Sequence, residues 1–311
     1  MRKKIRIARL DANRPIFGGG GARKGLSFST GITAGVNKRI KTYAGVVVAP
    51  VVVAPVVVFV AVSSSGTGNR VMTSSDGINW TSRNSAADIT WNSVTYGNGL
   101  FVAVSSTGTG NRVMTSLNGI NWTSRNSAAD IAWNSVTYGN GLFVAVSSSG
   151  TGNRVMTSSD GITWTTRNSA ADITWNSVTY GNGLFVAVSS TGTGNRVMTS
   201  LNGINWTSRT SAADIAWNSV TYGNLLFVAV SISGEVMTSP DGINWTSRTS
   251  SANYIWMEVT YGNGLFVAVS TLLDSSSGTG DRVMTSPDGI TWTSRTSAAN
   301  YNWNSVTSTN N

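Results

Sequence analysis

The residues best placed to do chemistry in this chain are arginines and carboxylates that recur at fixed spacing. Asn69-Arg70, Asn111-Arg112, Asn153-Arg154 and Asn195-Arg196 lie 42 residues apart, and each arginine is followed 18 residues later by an aspartate: Asp88, Asp130, Asp172 and Asp214. Such a ring of amide and guanidinium donors could hold glycan hydroxyls or acidic sugars, and Arg282 would extend it. The same groups could equally pair with one another and merely solvate a rim. A second recurring carboxylate occurs before glycine at Asp76, Asp160, Asp241 and Asp288. There an Asx-type turn is the expected role, because no repeat clusters the several oxygens that calcium needs.

The chain has no His and no Cys, which excludes imidazole bases, thiolate nucleophiles, disulfides and His- or Cys-ligated metals. Glutamate occurs only at Glu235 and Glu258, and nothing breaks the repeats to make one asymmetric pocket with paired carboxylates. The expectation is a protein without catalytic activity, cofactor or metal. With 40% hydrophobic residues but only 11% charged, and 34 Gly in 311 residues, the chain can build a core under a surface of hydroxyls and amides.

Strands must position these groups. Phe-Val-Ala-Val begins at Phe59, Phe101, Phe143, Phe185, Phe227 and Phe266, and the twelve Trp form two sets in the same register. Within a repeat, Trp133-Asn-Ser-Val-Thr-Tyr138 and Leu142-Phe-Val-Ala-Val-Ser147 flank a Gly-Asn-Gly turn and read as a hairpin. Arg154-Val-Met-Thr-Ser158 and Ile162-Thr-Trp-Thr-Thr-Arg167 flank Asp160-Gly161 and read as two more strands. Four antiparallel strands in about 42 residues is the size of a propeller blade. The Trp are expected as wedges between blades, and the recurring Arg83, Arg125, Arg167, Arg209, Arg248 and Arg295 as structural. Residues 59–100 match 143–184 at all but two positions, which marks a duplicated 84-residue pair.

The pattern W-x-S-V-x-Y-G-x-G-x-F-V-A-V followed by V-M-T-S-x-D-G-I-x-W-T resembles the Asp-box (BNR-type) propeller repeats of the sialidase and photosystem-assembly-factor-like kind. That resemblance covers residues 56–307 and implies that the Asp-Gly box forms the turn between a blade's third and fourth strands. It implies no one activity, since propellers serve many functions. Two copies depart from the box, with Asn118 and Asn202 replacing the aspartate.

The expected fold is all-β: a six-bladed propeller over residues 56–311, preceded by an extended basic arm over 1–55. The repeats start on a second strand at Phe59 and end on a first strand, Trp303-Asn-Ser-Val-Thr307, so the C-terminal strand is expected to close the first blade and leave no open sheet edge. Ile40-Lys-Thr-Tyr43 is a competing candidate for that slot.

The net charge of +9 is a property of the arm. Residues 1–43 hold eleven basic residues (Arg2, Lys3, Lys4, Arg6, Arg9, Arg14, Arg23, Lys24, Lys38, Arg39 and Lys41) against Asp11, or +10. Residues 44–311 hold 11 Arg against 12 acids, or −1, and no Lys. Lys4-Ile-Arg-Ile-Ala-Arg-Leu10 alternates basic and apolar residues, as a strand with one basic face would. The apolar run at 44–62 is interrupted by Pro50 and Pro55 and ends in a blade strand, so neither a membrane span nor a signal peptide is expected.

Two neighbouring loops, between a blade's second and third strands and between successive blades, lie on one face and hold the Asn-Arg pairs and aspartates. That face is the expected binding surface. The expected function is a structural and adhesive virion protein, a bacteriophage capsid decoration, fibre or tail component. Its arm would dock on other subunits in an oligomeric assembly, and the propeller would be displayed toward a host-surface glycan. The alternative is a secreted or cell-surface multivalent lectin. Nucleic acid is a partner only the arm could take, through non-specific phosphate contacts.

Overall fold

Each inner hairpin follows from its residues. In blade three the strands Trp133–Gly139 and Leu142–Ser147 alternate β-branched and aromatic residues. They are joined by Asn140 and Gly141 at φ 48° and 75°, the doubly positive geometry that matches strand twist. Blade five places Leu225 at φ 60° where its neighbours have glycine, and leaves the side chain 78% exposed. Leu225→Gly should therefore stabilise the protein by about 1 kcal/mol, seen as a melting temperature raised by roughly 2–4 °C.

A computed structural model describes residues 5–9, 59–271, 281–298 and 301–306. Its 24 strands form six four-stranded antiparallel sheets arranged as the blades of a propeller. Blade one consists of β1 (Ile5–Arg9), β2 (Phe59–Ser63), β3 (Val71–Ser74) and β4 (Thr81–Arg83). Blades two to six span residues 91–125, 133–167, 175–209, 217–248 and 255–295.

Adjacent blades are joined by one recurring interlock. Trp133, Phe143, Ala145 and Met156 of blade three pack on Val102, Val104 and Val113 of blade two, and equivalent sets recur at the other joints from blade one to blade six. The inner-strand Trp91, Trp133, Trp175, Trp217 and Trp256 are fully buried, as expected of wedges. The outer set is less enclosed, and each of these indoles donates to a turn carbonyl, as Trp164 does to Gly161 at 3.1 Å. A polar lace accompanies the packing. The Val136 amide donates to Ser93 Oγ at 3.1 Å, and Asn92 Nδ2 donates to the Trp133 carbonyl at 3.0 Å.

Closure differs from the sequence expectation. The strand paired with β2 is β1, in the register Ile5↔Ser63 to Arg9↔Phe59, and the C-terminal segment does not pair with β2. The physical reason lies in what the slot requires: a free β2 edge accepts any extended segment able to complete the ladder, and Ile5-Arg-Ile-Ala-Arg9 has the alternation of a strand. The chain accordingly divides into Met1–Leu10 with Val57–Asn311 and a second unit, Asp11–Val56. Ile40–Tyr43 and the apolar run up to Val58 lie outside the described residues. No helix among the described residues is long and apolar enough to cross a membrane.

Candidate functional site

On the loop face the structure brings the expected Asn, Arg and Asp residues together, but their hydrogen bonds turn inward. Arg112 Nε donates to the Gly108 carbonyl at 2.8 Å and Nη1 to the Ser106 carbonyl at 2.7 Å, clamping its own loop. Arg70, Arg154 and Arg196 repeat these bonds. Each guanidinium stands 3.6 Å from its aspartate, at Arg70–Asp88, Arg112–Asp130, Arg154–Asp172 and Arg196–Asp214. The aspartates also accept loop amides, as Asp130 does from Gly110 at 2.6 Å. The arginine side chains are only 14–15% exposed, the aspartates 39–43%. The arginines thus tie each loop to the connection that follows it, and the aspartates are the charged groups facing solvent.

Three of the four amide oxygens turn inward as well. Asn111, Asn153 and Asn195 bury their Oδ1 atoms against Gly108, Gly150 and Gly192, where a Cβ would collide with them; Asn69 is exposed. Arg282 is 1% exposed and lies 6.0 Å from the Tyr254 ring centroid, so the expectation that it extends the binding rim is corrected. Blade six replaces the usual Asn-Arg with Asp281-Arg282, and the Asp281 carboxylate accepts the Tyr254 hydroxyl at 2.9 Å. That bond holds the Tyr254 phenol above its ordinary pKa.

What projects from this face is the loop tip: Thr67, Thr109, Thr151 and Thr193 are exposed and recur at the 42-residue spacing. Sequence reasoning passed over them because charged residues dominate the motif. Their signal was a threonine between two glycines, neither of which has a side chain to cover it. The loop at 272–280, and the basic arm residues other than Arg6 and Arg9, lie outside the described residues. Arg6 and Arg9 belong to β1, which makes them part of a blade rather than of a free anchor.

The opposite face carries the box turns. Asp160 Oδ1 accepts the amides of Thr163 and Ile162, each at 2.8 Å, and the Ser158 hydroxyl. The Thr163 and Ile162 amides hold its carboxyl down at about 2. Asp76 and Asp288 are lowered first by the amides of Asn79 and Thr291. At Asp241 burial opposes ionisation, but the amides of Asn244 and Ile243 outweigh it. In blades two and four Asn118 and Asn202 accept the same amides, so the turn survives without charge. In those blades Leu117 and Leu201, 79% and 74% exposed, border apolar clefts of about 390 and 380 Å³.

The lowered carboxyls set the direction of acid sensitivity. A group with a folded pKa below its unfolded 3.8 stabilises the fold above pH 3.8 and loses that contribution as pH falls toward its folded value, about 2 for Asp160. Changing Asp76, Asp160, Asp241 and Asp288 together to Asn should flatten the fall in melting temperature between pH 4 and 2, as followed by circular dichroism. An unchanged slope would show that the turns do not carry it.

The blades' inner strands line an axial cavity of about 190 Å³ faced by Ser93, Ser135, Thr137, Thr179, Ser219, Thr221, Thr260 and Glu258. No group of three or more acidic residues able to hold a metal occurs among the described residues.

No protein-family model matches the chain, and no curated protein matches it. Solved structures do. YCF48 from Cyanidioschyzon merolae is 17% identical, with a TM-score of 0.55 over 76% of this chain and 80% of that one. YCF48 bound to D1 peptide is 16% identical, with a TM-score of 0.55 over 76% of each chain. Virginiamycin B lyase from Staphylococcus aureus is 13% identical, with a TM-score of 0.64 over 77% of this chain and 81% of that one. At these identities the likeness shows the propeller fold alone.

Proposed function

We propose that the chain is a non-enzymatic structural and adhesive component of a virus particle, anchored through its basic arm and displaying the propeller for contact with a repetitive surface. The observation that carries this is the fourfold loop face. Four consecutive blades present the same clamped loop with an exposed threonine tip and an outward aspartate, at one spacing and in one geometry. A surface built of identical weak contacts gains through simultaneous engagement, whereas catalysis needs one asymmetric constellation. The inward-turned arginines favour contact through hydroxyls, backbone edges and carboxylates over capture of acidic sugars. The solved complex of YCF48 with a peptide supports protein contact as a use of this fold.

The test is quantitative mass spectrometry of purified particles from cells expressing the chain. A copy number in fixed ratio to the main structural protein is expected. A chain absent from particles but bound to a glycan array would favour the secreted or cell-surface lectin instead.

A further inference from the structure

The first blade's inner position suits a second segment better than the one it holds. In blade two the inner strand sets Trp91 opposite Ser105, Ser93 opposite Val104, Val94 opposite Ala103 and Thr95 opposite Val102. At the equivalent places β1 sets Ile5 opposite Ser63, Arg6 opposite Val62, Ile7 opposite Ala61 and Ala8 opposite Val60. The C-terminal Trp303-Asn-Ser-Val-Thr307 carries the same residues as the strand of blade two.

Three features of the structure point the same way. First, the face of blade six that meets blade one is less enclosed than its counterpart on blade five. Val267 and Val283 are half-buried, while their blade-five counterparts Val228 and Val236 are fully enclosed. Second, blade one has a cavity of about 490 Å³ lined by Ala61, Ser63, Met72 and Trp80. In blade two the matching Ala103 and Met114 pack with Trp91, so the cavity lies where an inner-strand indole belongs.

Third, the C-terminal segment already stands beside blade six in inner-strand fashion. The Val306 amide donates to the Glu258 carboxylate at 3.2 Å, as the Val259 amide donates to Ser219 Oγ at 3.3 Å. Ser305 Oγ, however, is buried without a hydrogen-bond partner, although Ser93, Ser135, Ser177 and Ser219 each accept a valine amide from the following blade. After blade one the following valine is Val94.

We propose that the β2 edge and the adjoining cavity form a binding site for a tryptophan-bearing β-strand, and that its ligand is this chain's own segment beginning at Trp303, in exchange with β1. In the exchanged state the Trp303 indole fills the cavity and Ser305 accepts the Val94 amide. Asn304 then donates to the Trp91 carbonyl, as Asn92 does to Trp133. Ile5–Arg9 is released to join the rest of the basic arm. The exchange requires nothing of the assembly proposed above.

Two variants of the full chain test it by thermal melting: Arg6→Pro with Ile7→Pro, which denies β1 a ladder amide whichever way it faces, and Trp303→Ala. Either alone should lower the melting temperature by no more than about 3 °C, because the other segment holds the slot. The two combined should lower it by about 10 °C or more. Additive losses, or a loss that large in either variant alone, overturn the exchange. Because the chain has no Cys, Ala61→Cys with Val306→Cys gives a second reading. Mild oxidation should cross-link a fraction of the molecules, and nearly all of them once the two prolines are added. Absence of the cross-link in both backgrounds overturns the proposal.

Discussion

Gly139→Ala is expected to destabilise the propeller by roughly 3 kcal/mol or more, lowering the melting temperature by about 10 °C. The cause is packing rather than backbone freedom, since Gly139 is not among the residues at positive φ. A Cβ there would be built into the ring of Tyr180 on the next blade, and that ring is already locked 4.6 Å from Phe185. Gly97, Gly181 and Gly223 stand in the same relation to Tyr138, Tyr222 and Tyr261, so the ring has no slack to absorb the change. Gly141 makes the comparison: it sits at φ 75° with nothing within 4 Å of its would-be Cβ, and Gly141→Ala should cost only about 1 kcal/mol of backbone strain. Equal losses in the two melts would mean that the blades are not held at the spacing described.

Trp175→Ala should cost about 3–5 kcal/mol. The indole is fully buried within the cluster of Val144, Val146, Val155 and Phe185, and its Nε1 donates to the Ala171 carbonyl at 3.0 Å. Truncation would open a cavity between two blades and leave that carbonyl with the Ser169 hydroxyl alone, at 2.9 Å. Trp206→Ala, just before the outer strand of the same blade, removes a half-buried ring and should cost clearly less. Chemical denaturation of both variants decides the order, and a reversed order would overturn the assignment of the inner tryptophans as interlocking wedges.

The periodicity made the blades legible because each residue of Trp-Asn-Ser-Val repeats one structural task. The Trp fills a joint, the Asn reaches the next backbone, the Ser accepts the next amide and the Val packs. Closure was less legible, since β1 has no counterpart among the repeats and competes through strand alternation alone. The candidate site was half legible. Spacing placed arginine and aspartate on one face, but it carries no information about where a guanidinium spends its donors. The carbonyls of Gly108 and Ser106 that capture Arg112 are backbone groups, and every sequence offers those. Arg282 misled for a related reason: Tyr254 stands where the earlier repeats have an isoleucine such as Ile89, and its ring lies 6.0 Å from the guanidinium.

The proposed separation of duties between arm and propeller can be tested with one reagent. All five Lys, at Lys3, Lys4, Lys24, Lys38 and Lys41, precede the repeats, so amine-directed cross-linking of intact assemblies followed by mass spectrometry reports on the arm alone. The account predicts cross-links from Lys24, Lys38 and Lys41 to a structural subunit of the particle. Lysines that link only within the chain, or that become protected by added nucleic acid instead, would contradict it.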